Sequence, residues 1–186
     1  MTLTAILPTL RRSIPDPFQR SRWPEYTEMT TDDVVIAGVS LRRLVQLCDS
    51  PCVHTADALV PGCHIKTALR QDASVVVVTV SGVFDSDDGE RVVLIDADMA
   101  DVPAVWEETR LLGRISTAPS RPALILAGAD SGSPRGRGPA WVPADLKAGD
   151  LLAIPCTGIV ALHDIRPRPV TPQSKTLDNA WLQARA

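Results

Sequence analysis

The chain has 186 residues, of which 45% are hydrophobic and 22% charged, a composition typical of a globular domain. Nineteen basic and twenty-two acidic residues give a formal net charge of -3, which argues against a dedicated nucleic-acid binder with a basic face. No apolar run reaches the roughly 20 residues that cross a bilayer. The first two arginines follow the apolar residues, the reverse of a signal peptide, so we expect folding in the cytoplasm with reduced cysteines.

Residues 1–31 are predicted to form an extended N-terminal arm. The prolines of "IPDPF" and "RWPEY" exclude regular helix and central strand, because proline fixes φ and removes a backbone donor. The isolated side chains Phe18, Trp23 and Tyr26 are interface candidates. They would anchor the arm either on its own domain or on a neighbouring subunit.

Residues 32–69 are predicted to be a strand–helix–loop segment. The β-branched run from Asp33 to Ala37 indicates a strand, and Gly38 indicates a turn. Ser40 is a candidate N-cap for a helix with apolar residues at i, i+3, i+4 and i+7, namely Leu41, Leu44, Val45 and Cys48. This spacing places Cys48 on the apolar face, as a small core residue.

Residues 70–168 are predicted to form a β-barrel body. The runs "ASVVVVTVSGVF" and "RVVLIDADM" flank "DSDDGE", whose Asp-Gly pair indicates a hairpin. Further strands are predicted in "TRLLGRIS", "PALILAG", "LLAIP" and "IVALHDI", with a lid-like helix from Asp101 to Glu108. The predicted fold is therefore mainly β, a small barrel or sandwich with one or two short helices and extended N- and C-terminal arms.

The last segment, residues 169–186, is predicted to be a C-terminal tail. Prolines mark its beginning, and Trp181 and Leu182 are its large apolar residues. We interpret both as interface candidates on the second arm.

The stretch "CDSPCVHTADALVPGCHIK", residues 48–66, concentrates cysteine and histidine. Zinc would need about four N or S ligands, and Cys52, His54 and Cys63 converge only if the intervening chain folds back. The Cys-x3-Cys spacing is unlike the usual zinc knuckle. The preferred interpretation is that Cys48 and Cys52 pack inward while His54 and His64 make local hydrogen bonds, with no metal and no cofactor.

Two other groups have residue types that could carry chemistry. Cys156 follows a turn and His163 lies seven residues on, but strand alternation predicts a half-buried histidine and not a catalytic base. Asp96 and Asp98 lie two apart on a predicted strand and could bind a hard cation, although a solvated strand edge is preferred. The arginines of "SPRGRG" indicate a basic, solvated loop. No catalytic residue is predicted.

The phrases "RWPEYTEMTTDDVVIAGVSLRRL", "PCVHTADALVPG" and "LKAGDLLAIPCTGIVALHDIRP" resemble those of small virion proteins from tailed phages of actinobacteria. The resemblance implies a non-enzymatic structural protein made in the host cytoplasm and located in the virion. It further implies a connector- or stopper-like position at the head-to-tail joint, with ring assembly through arm exchange. Its partners would be copies of itself and neighbouring virion proteins, with no membrane and no sequence-specific nucleic acid.

Two alternatives belong to other classes. A nucleic-acid-binding module of OB type would also be a small barrel, and it predicts basic and aromatic residues gathered on one sheet face. A small zinc-binding protein would use the Cys48–His64 stretch.

Overall fold

A computed structural model describes residues 2–58, 72–86, 89–127 and 138–166. Its strands are β1 (Thr27–Met29), β2 (Val34–Ile36), β3 (Val39–Ser40), β4 (Cys52–Asp57), β5 (Asp72–Asp85), β6 (Arg91–Ile95), β7 (Arg110–Leu112), β8 (Ser120–Ala127), β9 (Gly138–Pro143) and β10 (Leu151–Thr157). Its α-helices are α1 (Leu3–Ile6), α2 (Leu41–Cys48) and α3 (Leu162–Ile165), and three 3-10 turns span Pro8–Arg12, Arg20–Arg22 and Trp106–Glu108. Within these ranges no helix has the length and apolarity to cross a membrane.

The body is a seven-stranded sheet organised around the long strand β5. The first half of β5 pairs with β10 on one side and β4 on the other, and after an irregularity between Val80 and Gly82 it pairs with β6. The strand order is β7-β10-β5-β6-β8-β9, and the two end strands β7 and β9 come into contact. The sheet therefore curls into a nearly closed barrel, which confirms the mainly-β prediction.

Consecutive valines in β5 are buried on both faces of the sheet. Val76 and Val78 point into the barrel core, whereas Val75 and Val77 pack into a second cluster with Trp23. Burying one such side chain stabilises the fold by about 1.5–3 kcal/mol. The run is continuously apolar because a second layer covers its outside.

The second layer is a small sheet, β1-β2-β3, together with α2. The predicted strand and helix are both confirmed: Gly38 turns the chain at φ +82°, and the Ser40 hydroxyl accepts a hydrogen bond from the amide of Arg43. Strand β1 pairs with β2. A boundary between residues 31 and 32 therefore cuts this small sheet in two.

Residues 2–22, the N-terminal segment, lie across the seam between β7 and β9. The Arg11 guanidinium donates to the Ala118 carbonyl at 2.8 Å and to the Ser120 hydroxyl at 2.9 Å. From the other side, Nη2 of Arg110 donates to the Pro17 carbonyl at 2.9 Å. The N-terminal segment therefore rests on its own chain, on β7 and on the residues at the start of β8.

Two predicted elements are wrong. "IVALHDI" is a turn followed by the one-turn helix α3 and not a strand, because Oδ2 of Asp164 caps the amide of Ala161 at 3.1 Å and Ile165 is buried. The predicted helix 101–108 is reduced to the 3-10 turn at its end. Its first half instead lies along β10, where the amide of Val105 donates to the Pro155 carbonyl.

Candidate interaction surface

The residues of the cysteine- and histidine-rich stretch lie in different environments. Cys52 is buried as predicted, but Cys48 is exposed at the end of α2, where the last turn projects beyond the core, so its predicted inward packing is wrong. Nε2 of His54 is buried and has no hydrogen-bond partner among the described residues, so the local bond predicted for His54 stays a prediction. Burial lowers the pKa of His54. Cys63 and His64 lie outside the described residues.

Within the described part of the chain, no three His, Cys, Asp or Glu side chains cluster in a way that could hold a metal ion. Because the zinc hypothesis also requires Cys63, it stays a prediction. Cys52 offers a protonated thiol, since burial above all raises its pKa to about 11.

Cys156 and His163 do not form a nucleophile–base pair. Cys156 is buried, and burial raises the pKa of its thiol to about 12, so the sulfur stays protonated near neutral pH. The His163 side chain is 84% exposed and pairs with Asp164 at 3.0 Å. The predicted half-buried position of His163 is wrong because the residue lies on α3 and not on a strand.

Asp96 and Asp98 lie just beyond the end of β6. The carboxylate of Asp96 accepts hydrogen bonds from the Ser50 hydroxyl at 2.6 Å and the Thr79 amide at 2.8 Å. That of Asp98 accepts one from the Ala100 amide. Asp96 is thus a structural acceptor that holds the α2–β4 corner against β5, not the solvated edge residue that we expected. The arginines of "SPRGRG" lie outside the described residues.

The aromatic residues of the predicted arm, residues 1–31, have different positions. Trp23 is 1% exposed, and Phe18 packs edge-on against it with ring centroids 6.5 Å apart. Trp23 packs into its own domain in this chain, and its role as a contact to a neighbouring subunit stays a prediction. Tyr26 is 71% exposed. Trp181 and Leu182 lie outside the described residues.

The outer face of the barrel wall formed by the second half of β5 and by β6, β8 and β9 is apolar. Every second residue in these strands points into the core, as Val93, Ile125 and Val142 do. The residues between them therefore point outward. The cross-strand register aligns these neighbours in rows. The outer apolar face consists of Phe84, Val92, Leu94, Pro122, Leu124, Leu126, Pro139 and Trp141.

Exposure is largest at the two sides of the outer apolar face. Trp141 is 61% exposed on β9 and Phe84 is about half exposed on β5, while Val92 between Phe84 and Leu124 is nearly covered. None of its eight members carries a charge. The face therefore lacks the lysines and arginines that the OB-type alternative predicted beside the aromatic residues.

Helix α1 lies beside this face. Ala5 of α1 lines the same cavity as Trp141. The exposed apolar residues of α1 and the turn after it are Leu3, Ile6 and Leu7.

The sequence did contain a signal for the outer apolar face. "VVLI" in β6 and "ALILA" in β8 are continuous apolar runs, whereas a strand with one solvated face alternates apolar and polar residues. The continuous apolar run of β5 is explained by the second layer, which covers its outward side chains. Among the described residues, no element covers the outward side chains of β6 and β8 to the same extent.

Comparisons with known proteins leave the family open. No protein-family model matches the sequence, and no curated protein matches it. Two solved structures of the Paramecium bursaria Chlorella virus arginine decarboxylase, one of them bound to agmatine, are similar over 50% of this chain and 28% of theirs. The TM-score is 0.36 and the sequence identity 16% in both cases.

Proposed function

We propose that this protein is a non-enzymatic structural protein that assembles with copies of itself. The observation that supports the proposal is the outer apolar face, eight uncharged residues on a rigid barrel wall. Two of the four cysteines, Cys52 and Cys156, fit no nucleophilic role, since burial keeps both thiols protonated.

The size of the outer apolar face suits a protein contact. Eight outward positions cover roughly 260 Å², from the spacing of strands and of alternate residues. The largest apolar patch of a typical monomer is about 300–600 Å², and a stable interface buries about 800 Å² per partner. The face supplies about a third of that interface area.

A second copy of this chain is the occupant that the chemistry favours. An uncharged face offers no charge complementarity to a polyanion or to a strongly charged partner, whereas it matches a surface as apolar as itself. Pro139 and Pro143 remove two donors from the edge strand β9, which disfavours the addition of another strand there. Face-to-face packing of two sheets is the remaining mode.

The specific role that we propose is a virion component at the head-to-tail connection of a phage, and it rests on the sequence resemblance. A connector must bind copies of itself in a fixed geometry, for which a rigid barrel with one apolar wall is suited. Ring closure through arm exchange would need the N-terminal segment to make its Arg11 and Arg110 contacts on a neighbouring copy.

Molar mass in solution, measured over a range of protein concentrations by light scattering, tests assembly. We expect the mass to rise with concentration. A double variant, Phe84→Glu and Trp141→Glu, should weaken association by at least about tenfold, because each charge would be buried without a partner. The matched control is Leu47→Glu with Ile159→Glu, two residues 69% and 70% exposed and outside the face.

A strictly monomeric wild-type protein would contradict self-assembly, and equal effects of the two double variants would contradict the use of this face. The virion role is tested separately, by electron microscopy of the protein produced together with the products of neighbouring genes. Incorporation into particles supports the role, and exclusion from complete particles contradicts it.

A further inference from the structure

A cavity of about 380 Å³ lies where the N-terminal segment crosses the seam. Its walls come from the N-terminal segment, from β7 and β9, and from the turn after β1, represented by Asp16, Arg110, Trp141 and Thr30. The volume is within the range of pockets that hold small molecules. The cavity shares Trp141 with the outer apolar face, and the proposed assembly function uses no other residue of its lining.

Three arginines, Arg11, Arg110 and Arg114, line the cavity. Arg114 is committed to Asp150 and Asp145, to which it donates four hydrogen bonds. A guanidinium group has five N–H donors. Arg11 donates three bonds to the described residues, and Arg110 also donates three, so each retains two N–H groups without a partner among these residues.

Of the three arginines that line the cavity, Arg110 has the least complete environment. Its Nε is buried and has no partner within the described ranges. Burial lowers the pKa of Arg110; the carboxylates of Glu108 and Asp16 oppose the shift, and the positive charge of Arg11 adds to it. Two guanidinium groups thus lie near one another in a partly desolvated place, where an anion would stabilise both.

The acidic side chains that line the cavity do not supply the anion that would stabilise Arg11 and Arg110. Asp16 is paired with Arg11 at 2.9 Å, and the carboxylate of Asp33 accepts from the amides of Val34 and Arg42. Glu107 is exposed. The apolar part of the lining includes Trp141, with Met29, Leu111 and Pro17.

We infer that this cavity binds a small organic carboxylate with an apolar body. Nη2 of Arg110 already uses both of its N–H groups, so one carboxylate oxygen would accept from the remaining Nη1–H of Arg110 and the other from Arg11 beside it. The apolar body would lie against the indole of Trp141. Inorganic anions have no apolar body and cannot make this contact.

Calorimetric titration with phenylacetate, its neutral isostere phenylacetamide and inorganic phosphate tests the inference. The protein is used at a concentration at which light scattering shows a single species. Phenylacetate should bind at least about tenfold more tightly than phenylacetamide, because a charge-assisted hydrogen bond contributes more than a neutral one. Phosphate should bind more weakly than phenylacetate.

Two variants locate the site, and a third is the control. Arg110→Gln should remove the preference for phenylacetate over phenylacetamide, and Trp141→Ala should weaken phenylacetate binding by about fivefold through the lost ring contact. Trp141 is on the surface, so Trp141→Ala tests the site even where Arg110→Gln fails to fold. Leu47→Ala should leave binding unchanged.

The inference is overturned by the absence of saturable phenylacetate binding, by equal affinities for the acid and its amide, or by tighter binding of phosphate. Unchanged affinity in Trp141→Ala overturns the placement of the ligand in this cavity.

Discussion

The indole Nε1 of Trp23 donates a hydrogen bond to Oε2 of Glu108 at 2.9 Å. The same oxygen accepts from Nη2 of Arg110 at 3.0 Å and from the amide of Gln19 at 3.3 Å. One carboxylate oxygen therefore joins the N-terminal segment to the start of β7, and the side chain of Trp23 fills the cluster behind it. The N-terminal segment is a part of the folded body.

Substitution of Trp23 tests this integration. Trp23→Ala should lower the free energy of unfolding by about 3–5 kcal/mol, because it removes a large, fully buried ring. Tyr26→Ala, the matched aromatic control, should change it by less than about 0.5 kcal/mol, because that ring is exposed. Urea unfolding followed by circular dichroism gives both values, and equal effects would show that Trp23 does not pack as described.

Arg11 should control protease access to the N-terminal segment. Arg11→Met removes the bonds to Ala118 and Ser120, so trypsin should cut after Arg12, Arg20 or Arg22 about tenfold faster. Arg43→Met is the control, since Arg43 is exposed on α2 and bonds only with Gln46 and the Ser40 cap among the described residues. Unchanged cleavage in Arg11→Met would contradict the proposed fastening.

The thiols should differ in reactivity. In a Cys63→Ser background at pH 8, an alkylating reagent should modify Cys48 about 100-fold faster than Cys52 or Cys156, because the buried thiols remain protonated and covered. Peptide mass spectrometry measures the three rates. Comparable rates for Cys48 and Cys156 would contradict the burial of Cys156.

The same thiols predict a loss of stability in alkali. Burial raises the pKa from 9.0 to about 11 in Cys52 and about 12 in Cys156, so the folded protein holds these protons more tightly than the unfolded chain. Their contribution is complete below the ordinary thiol pKa and is lost as the pH rises toward 11 and 12. Cys156→Ala should flatten the decrease in unfolding free energy over this pH range, and an unchanged slope would contradict the assignment.

Arg114 should be coupled to Asp150. Nε and Nη2 of Arg114 bind the two carboxylate oxygens of Asp150 at 2.8 and 2.7 Å, and Asp150 is buried. Arg114→Met should therefore cost about 2–3 kcal/mol, because it leaves a buried charge unpaired. The double variant with Asp150→Asn should cost less than the sum of the single variants in urea unfolding, and strict additivity would contradict the coupling.

Local sequence rules predicted the elements that depend on local interactions. The Ser40 cap and its four spaced apolar residues specify α2, and Gly89, at φ +76°, lies in the connection between β5 and β6. The cap of α3 is harder to recognise in the sequence than that of α2, because Asp164 caps a helix of only one turn. Alternation of apolar residues around His163 therefore indicated a strand that does not exist.

Long-range interactions decided what the sequence could not show. The proline-rich composition of the N-terminal segment predicted an arm, yet its order depends on Arg11 reaching Ser120, 109 positions away along the chain. Likewise, the continuous apolar runs of β5 and β6 look alike, but only the pairing of distant strands shows which of them is covered. The outer apolar face was for this reason missed.

Photo-crosslinking at position 141 is the most direct measurement of the central claim, which is that copies of this protein meet through the outer apolar face. Trp141 is replaced with benzoylphenylalanine, the concentrated protein is irradiated, and the linked peptides are identified by mass spectrometry. The account predicts a product of twice the chain mass that joins position 141 to Phe84, Leu94, Leu124 or Leu126 of another copy. Product confined to single chains, or a yield no higher than with the same group at Leu47, would contradict it.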